Sequence, residues 1–159
     1  MKRRTKVLLW LLALAAGMFL FSRYVAKPFV VIGESMAPTL HSWDCGVMQW
    51  VRQYEPRRGD IVMFRTADDP PIHFIKRVIA LPGETVAVND GVIQINSVPL
   101  REAYSTAYSD WNLSPTNVPP GRVFVIGDNR GRGGYETWHG FVATRLVIGR
   151  LIWHWRWKS

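Results

Sequence analysis

Turn-forming residues cut the chain beyond Pro28 into short apolar segments, and that spacing leaves room for strands rather than long helices. Apolar or alternating runs occur at 29–32, 46–51, 60–65, 73–81, 85–88, 91–95, 122–126 and 146–153. They are punctuated by Pro56, Gly59, Pro70-Pro71, Pro82-Gly83 and Pro119-Pro120-Gly121, residues that fix or free φ where a strand must stop. Val88-Asn89-Asp90-Gly91-Val92 predicts a hairpin, because Asn, Asp and Gly tolerate the positive φ of its tight turn. Residues 101–120 are polar, carry Pro115, Pro119 and Pro120 and show no clear period, which predicts a long loop. Only Pro38–Trp43 is compatible with a helical turn. The predicted fold is mostly β, with strands at the spacing of a barrel or folded sheet.

The N-terminus reads as an address. Residues 1–6 (MKRRTK) are strongly basic, and Val7 to Phe21 is an uncharged apolar run of 15 residues. The pattern suits a cleavable signal peptide or an uncleaved signal anchor. After the run comes Ser22-Arg23-Tyr24-Val25-Ala26-Lys27-Pro28, where bulky and charged residues spoil a small-x-small cleavage site, so the anchor is favoured. A spanning helix normally takes ~20 residues. Flanking residues to Val25, with Lys6 and Arg23 snorkelling, would have to lengthen this one. The expected division is a cytoplasmic tail at 1–6, a transmembrane anchor at 7–25 and an extracytoplasmic domain at 26–159. Its orientation in the plasma membrane follows from the basic N-terminal flank.

Charge distribution weakens a nucleic-acid reading. The net charge is +8, but Lys2, Arg3, Arg4 and Lys6 supply four positive charges at one end, and Arg145, Arg150, Arg156 and Lys158 four at the other. Residues 7–144 carry 12 basic and 12 acidic side chains and are neutral, whereas a nucleic-acid binder gathers cations on its folded face. Cys45 is the only cysteine and reads as a small buried hydrophobe. No His/Cys cluster has metal-ligand spacing and no phosphate loop or repeat appears, so neither metal nor cofactor is expected. Ile152-Trp153-His154-Trp155-Arg156-Trp157-Lys158 alternates Trp with polar or cationic residues. It suits either a last strand with one aromatic face in the core or a contact with membrane lipid.

Lys76 is the most informative candidate for chemistry. It is the only lysine between Lys27 and Lys158. On a strand over 73–81 it shares a face with Phe74, Val78 and Ala80, while His73, Ile75, Arg77 and Ile79 take the other. Apolar neighbours penalise the ammonium and lower its pKa, which arginine could not exploit. A neutral amine can take a proton from a hydroxyl nucleophile. Ser35 follows a strand-like run at the turn made by Gly33, a bend that exposes the hydroxyl and frees N–H groups to bind an oxyanion. Taken singly, a snorkelling lysine and a turn-capping serine describe these residues better than catalysis does. Asp128 and Asn129 read as turn formers buttressing the site, as does Arg58-Gly59-Asp60 at a strand entry. His41, His73, His139 and His154 carry no local catalytic signature.

Four segments in order resemble the boxes of type I signal peptidases, the Ser/Lys endopeptidases of the bacterial plasma membrane. Gly33-Glu34-Ser35-Met36-Ala37-Pro38-Thr39-Leu40 is similar to the nucleophile box. Arg58-Gly59-Asp60-Ile61-Val62-Met63-Phe64 is similar to the strand box that follows. Lys76-Arg77-Val78-Ile79-Ala80-Leu81-Pro82-Gly83-Glu84 resembles the general-base box, and Gly127-Asp128-Asn129-Arg130 the last box. The resemblance runs from the anchor to about Arg150.

The resemblance implies a β catalytic core on an N-terminal anchor, cutting preproteins after small-x-small sites. Ser35 would be the nucleophile, Lys76 the general base, and the Ser35 N–H part of the oxyanion hole. Gly33 stands where some members place a second donor hydroxyl, so any second donor is backbone. Val31, Met36, Phe74 and Ile75 fall where the family lines its small-residue pockets; Arg77, Asp128 and Asn129 fall among its supports. The last box departs from the pattern: Gly133, Tyr135, Glu136 and Thr137 occupy positions usually held by a Ser, an Asp and a Ser-Arg pair. That departure keeps open a dedicated processing peptidase, such as one maturing conjugative pilins, and a silent membrane protein that binds signal peptides.

Overall fold

The structure, a computed structural model, describes residues 2–24, 26–105, 111–131 and 139–156. Helix α1 spans Lys2–Tyr24. The strands are β1 (Ala26–Val30), β2 (Cys45–Trp50), β3 (Ile61–Arg65), β4 (His73–Ala80), β5 (Thr85–Asn89), β6 (Val92–Ile95), β7 (Val98–Pro99), β8 (Leu113–Asn117), β9 (Arg122–Ile126), β10 (Gly140–Ala143) and β11 (Val147–Trp155). A seven-stranded sheet runs β1-β2-β11-β3-β4-β9-β10 and a four-stranded sheet runs β7-β6-β5-β8. Each pairing is antiparallel.

The mostly β expectation holds, and its barrel alternative is corrected. Among the described residues β1 and β10 remain edges of an open sheet, so no closed barrel forms. The predicted hairpin is present, with Asn89 paired to Val92 across Asp90 (φ 46°) and Gly91 (φ 78°), both in the positive-φ region that a type I′ turn requires. The segment predicted as one long loop contains β8, which closes the small sheet against β5. Pro38–Trp43 forms turns without helix. Cys45 is exposed rather than buried, because it opens β2 with its side chain on the outer face.

Strand alternation builds a core on both faces of the large sheet. Val123 and Val125 of β9 join Val62, Phe64, Val78 and Val142 on one face. Phe124 and Ile126 turn the other way and meet Val86, Val88, Ile93 and Ile95 of the small sheet. Farther along that second face, Ile61 packs with Val31, Met36 and Leu40 from the loop after β1. A register shift between Val78 and Ala80 puts both Ile79 and Ala80 against the small sheet, which strict alternation would forbid. The same sheet thus carries the small-sheet core and the Ser35 loop side by side.

The expected anchor segment forms as helix α1, but its apolar part is short. Among the described residues, no helix is long and apolar enough to cross a membrane. The 15 apolar residues from Val7 to Phe21 rise roughly 22 Å at 1.5 Å per residue, against a hydrocarbon core of about 30 Å. The last strand forms as predicted, but Trp153 and Trp155 are 56% and 59% exposed and do not face the core. A bulge between Leu151 and Trp153 flips the parity that would have buried them. Trp157 and Lys158 lie outside the described residues.

Candidate active site

The loop between β1 and β2 carries Ser35 on a turn opened by Gly33, whose φ of 96° suits a residue without Cβ. Three contacts from within the loop fix its shape. The Gly33 N–H donates to Ser42 Oγ (3.2 Å), the Ser42 N–H donates to Glu34 Oε1 (3.0 Å), and the Ala37 N–H donates to the Glu34 carbonyl (3.1 Å). Gly33 therefore serves the turn, since its own N–H is engaged. A fourth tie comes from far along the chain. Asn129 donates its backbone N–H to the Ser35 carbonyl (3.2 Å) and its side-chain amide to the Glu34 carbonyl (3.0 Å). Ser35 itself is half-buried.

Lys76 stands where β4 loses a neighbour. Strand β4 pairs with β9 only from Arg77 onward, through Arg77–Ile126, while β3 accompanies it from His73. Past Ile126 the chain turns away through Gly127-Asp128-Asn129, bringing those residues to the end of the pairing. Lys76 is 2% exposed. Burial pushes its amine down to about 8, and the Asp128 carboxylate opposes part of that shift. A lysine so placed exchanges its proton at a pH where an exposed lysine stays charged.

Asp128 is fully buried and held from three sides. Arg77 donates to it through Nε (2.8 Å to Oδ1) and Nη2 (2.6 Å to Oδ2), and Thr39 donates its hydroxyl to Oδ2 (2.5 Å). A two-pronged guanidinium–carboxylate bond fixes orientation as well as distance. Breaking such a buried pair from one side typically costs about 3–5 kcal/mol. Arg77 also donates to the Gly59 carbonyl (2.9 Å), so the turn before β3 joins the same network.

Beside Ser35 lies a cavity of about 260 Å³ lined by Val30, Val31, Ile32, Gly33, Ser35, Met36, Met63, His73, Phe74 and Ile75. It contains Val31, Met36, Phe74 and Ile75, the four positions that the resemblance marked as pocket residues. Lys76 follows the last of them in β4. Arg77, Asp128 and Asn129 come together around the Ser35 loop. Gly133, Tyr135, Glu136 and Thr137 lie outside the described residues.

Several participants are unmarked in the sequence. Thr39 has no role of its own there, yet it bonds both Asp128 and Arg77. Arg156 donates to the carbonyls of Pro38 (2.5 Å) and Thr39 (3.3 Å), clipping the end of β11 to the Ser35 loop from more than a hundred residues away. His73 reads as an ordinary strand residue and lines the cavity. His139 packs against Trp111, with ring centroids 4.4 Å apart. No local pattern signals these roles, because each depends on a partner distant in the chain.

Comparison with known proteins adds independent findings. The family model described as signal peptidase, peptidase S26, matches residues 3–157. A probable signal peptidase I-1 of Synechocystis sp. is 38% identical over 138 residues, covering 81% of this chain and 70% of the relative. The signal peptidase I of Leptolyngbya laminosa is 37% identical over 138 residues, covering 81% and 68%. Among solved structures, a signal peptidase I from Enterococcus faecalis shares 31% identity at a TM-score of 0.48, covering 63% of this chain and 99% of that one.

Proposed function

This chain belongs to the signal peptidase family, peptidase S26, and is a serine endopeptidase of the signal peptidase I type; on that premise we propose that it frees exported preproteins from their signal peptides by a Ser35–Lys76 acyl-enzyme mechanism. The observation that carries the reading is the lysine. Lys76 is buried with an amine driven toward neutrality. Its neighbour Ile75 lines the Ser35 cavity. Its other neighbour, Arg77, grips Asp128, and the next residue, Asn129, holds the Ser35 carbonyl.

In the proposed sequence of steps, Lys76 Nζ takes the Ser35 hydroxyl proton as Oγ bonds to the scissile carbonyl carbon. The Ser35 N–H donates to the oxyanion as it develops. The tetrahedral adduct collapses, the C–N bond breaks, and the departing amine takes the proton from Lys76. Water then attacks the ester as Lys76 accepts its proton. The second adduct collapses, the C–Oγ bond breaks, and Lys76 returns the proton to Ser35 Oγ. The signal-peptide acid departs and ionises in solvent. Arg77, Asp128 and Asn129 hold the two reacting side chains in place.

The proposed substrates carry small residues before the scissile bond, as the family resemblance implies. The cavity volume of about 260 Å³ lies below the 300–1,000 Å³ typical of ligand pockets. Val31, Met36, Phe74 and Ile75 give it a mostly apolar lining, which suits small uncharged side chains beside the scissile bond. Purified full chain in detergent, given a preprotein with an Ala-x-Ala site, should release a mature protein whose N-terminus follows the second Ala. Cleavage elsewhere, or none, would sink this specificity.

The proposed setting is the membrane surface. In α1 the side chains of Leu8, Leu9, Trp10 and Leu12 are exposed behind a basic N-terminus, as an anchor requires. Snorkelling by Lys6 extends its short apolar length. Trp155 pairs with Cys45, which pairs with Val30 at the cavity. The exposed aromatic surface of Trp153 and Trp155 is thereby continuous with the site, and Trp favours the headgroup level. Protease added outside intact spheroplasts should digest the domain after Tyr24 and spare a tag ahead of Lys2. A protected domain would overturn the orientation.

A further inference from the structure

Behind the Gly127–Asn129 turn lies a second buried ion pair that the chemistry above does not use. Arg130 and Glu102 have side chains 4% and 10% exposed. They meet fork to fork, Nη1 to Oε2 at 2.5 Å and Nη2 to Oε1 at 2.7 Å. The Tyr104 hydroxyl donates to Glu102 Oε1 at 2.9 Å, and the Tyr104 ring lies under the Arg77 guanidinium, 3.8 Å from its centroid. The Ser105 hydroxyl donates to the Asp128 carbonyl at 3.2 Å. Residues 102–105 therefore grip the supports of the site at three points: Arg130, the face of Arg77 and the backbone of Asp128.

The two faces of Arg77 explain why the arrangement bears on catalysis. Its edge is committed to Asp128 and its face to Tyr104, so ring and carboxylate together allow it one orientation. The same Asp128 acts electrostatically on Lys76, and Asn129 beside it holds the Ser35 and Glu34 carbonyls. Glu102 is the hub, bonded to both Arg130 and Tyr104. A buried ion pair gives little net stability over apolar packing, but it does impose a geometry.

We propose that Glu102 is a positioning residue for the Ser35–Lys76 pair, acting through Arg130 and through Tyr104 on Arg77. The inference rests on the proposed function and extends it to a segment with no recognisable motif. Glu102 does not line the cavity beside Ser35, so its effect should fall on turnover rather than on binding.

The test is steady-state cleavage of a preprotein by the full chain in detergent, with active enzyme counted by the acyl-enzyme burst. Glu102→Gln keeps the shape and removes the charge. Its kcat should fall by about tenfold, in line with a small misplacement of reacting groups, with KM within about twofold. Removing one buried negative charge near Arg77, Asp128 and Arg130 disfavours the Lys76 ammonium. The rising limb of the pH–rate profile should therefore move to lower pH by roughly half a unit. Glu102→Gln with Arg130→Gln removes both charges and should return that limb to its wild-type position. A Glu102→Gln enzyme with wild-type kcat and pH profile would overturn the proposal. So would a variant that loses only folded protein, with kcat per burst site and the limb unchanged. Ser35→Ala runs alongside: an active Ser35→Ala enzyme overturns the site reading itself and this inference with it, whereas an inactive one beside a normal Glu102→Gln overturns the inference alone.

Discussion

Ser35→Ala is expected to abolish preprotein cleavage, reducing the rate by more than a hundredfold, while the protein folds as before. The loss is large because the hydroxyl forms the bond that divides one difficult hydrolysis into two easier steps, and removing such a nucleophile costs orders of magnitude in kcat. Folding should be spared because the contacts that shape the loop use other atoms. Asn129 bonds the carbonyls of Glu34 and Ser35, and Ser42 and Glu34 tie the turn from within. The measurement is product formation beside a thermal unfolding curve. Activity above about a hundredth of wild type would sink the Ser35 assignment, since residual catalysis after losing a covalent nucleophile is normally far lower.

Lys76→Arg is expected to be nearly inactive although it keeps the charge and approximate length, because a guanidinium does not give up its proton at any working pH. In the wild type the amine sits near pKa 8, so the rate should rise with pH through about 8 as the neutral base forms. The stability sign follows from the same depression. The unfolded lysine titrates near its ordinary value of about 10.4 and the folded one near 8, so the folded state binds fewer protons between those values. Stability from this group therefore rises with pH across that window. Below pH 8 the buried ammonium is a full penalty. Lys76→Met should then be more stable than wild type at neutral pH by up to roughly 3 kcal/mol, as a two-unit shift implies. The advantage should shrink as pH approaches 10.4. Urea unfolding at pH 7 and pH 10 gives the comparison. An active Lys76→Arg enzyme would assign the base elsewhere, and His73 would then be the candidate, because it lines the cavity while His139 is stacked on Trp111.

Local chemistry wrote much of this protein plainly. Pro and Gly punctuation located the strand segments closely, and Asn89-Asp90-Gly91 set its hairpin, because turn preferences act over a few residues. The isolation of Lys76 among apolar neighbours marked it as unusual, and the order of four short boxes tied it to Ser35. What the chain could not display was any contact whose two halves lie far apart. Strand β8 was hidden inside a Pro-bearing polar stretch, since a strand with two exposed polar positions acquires its identity from its partner β5. The outward face of Trp153 and Trp155 depended on a bulge, which shifts parity without leaving a mark in composition. Thr39, Glu102, Tyr104 and Arg156 became part of the site only when folding carried them to Asp128, Arg130, Arg77 and the Pro38 carbonyl. By itself the sequence determined most of the strand segments, the hairpin turn and which side chains are candidates for the chemistry, because those depend on residue type and near neighbours. Tertiary structure alone decided how Lys76 is desolvated and how Arg77, Asp128 and Asn129 are brought to the Ser35 loop, because burial and ion pairing belong to the packed chain rather than to any segment of it.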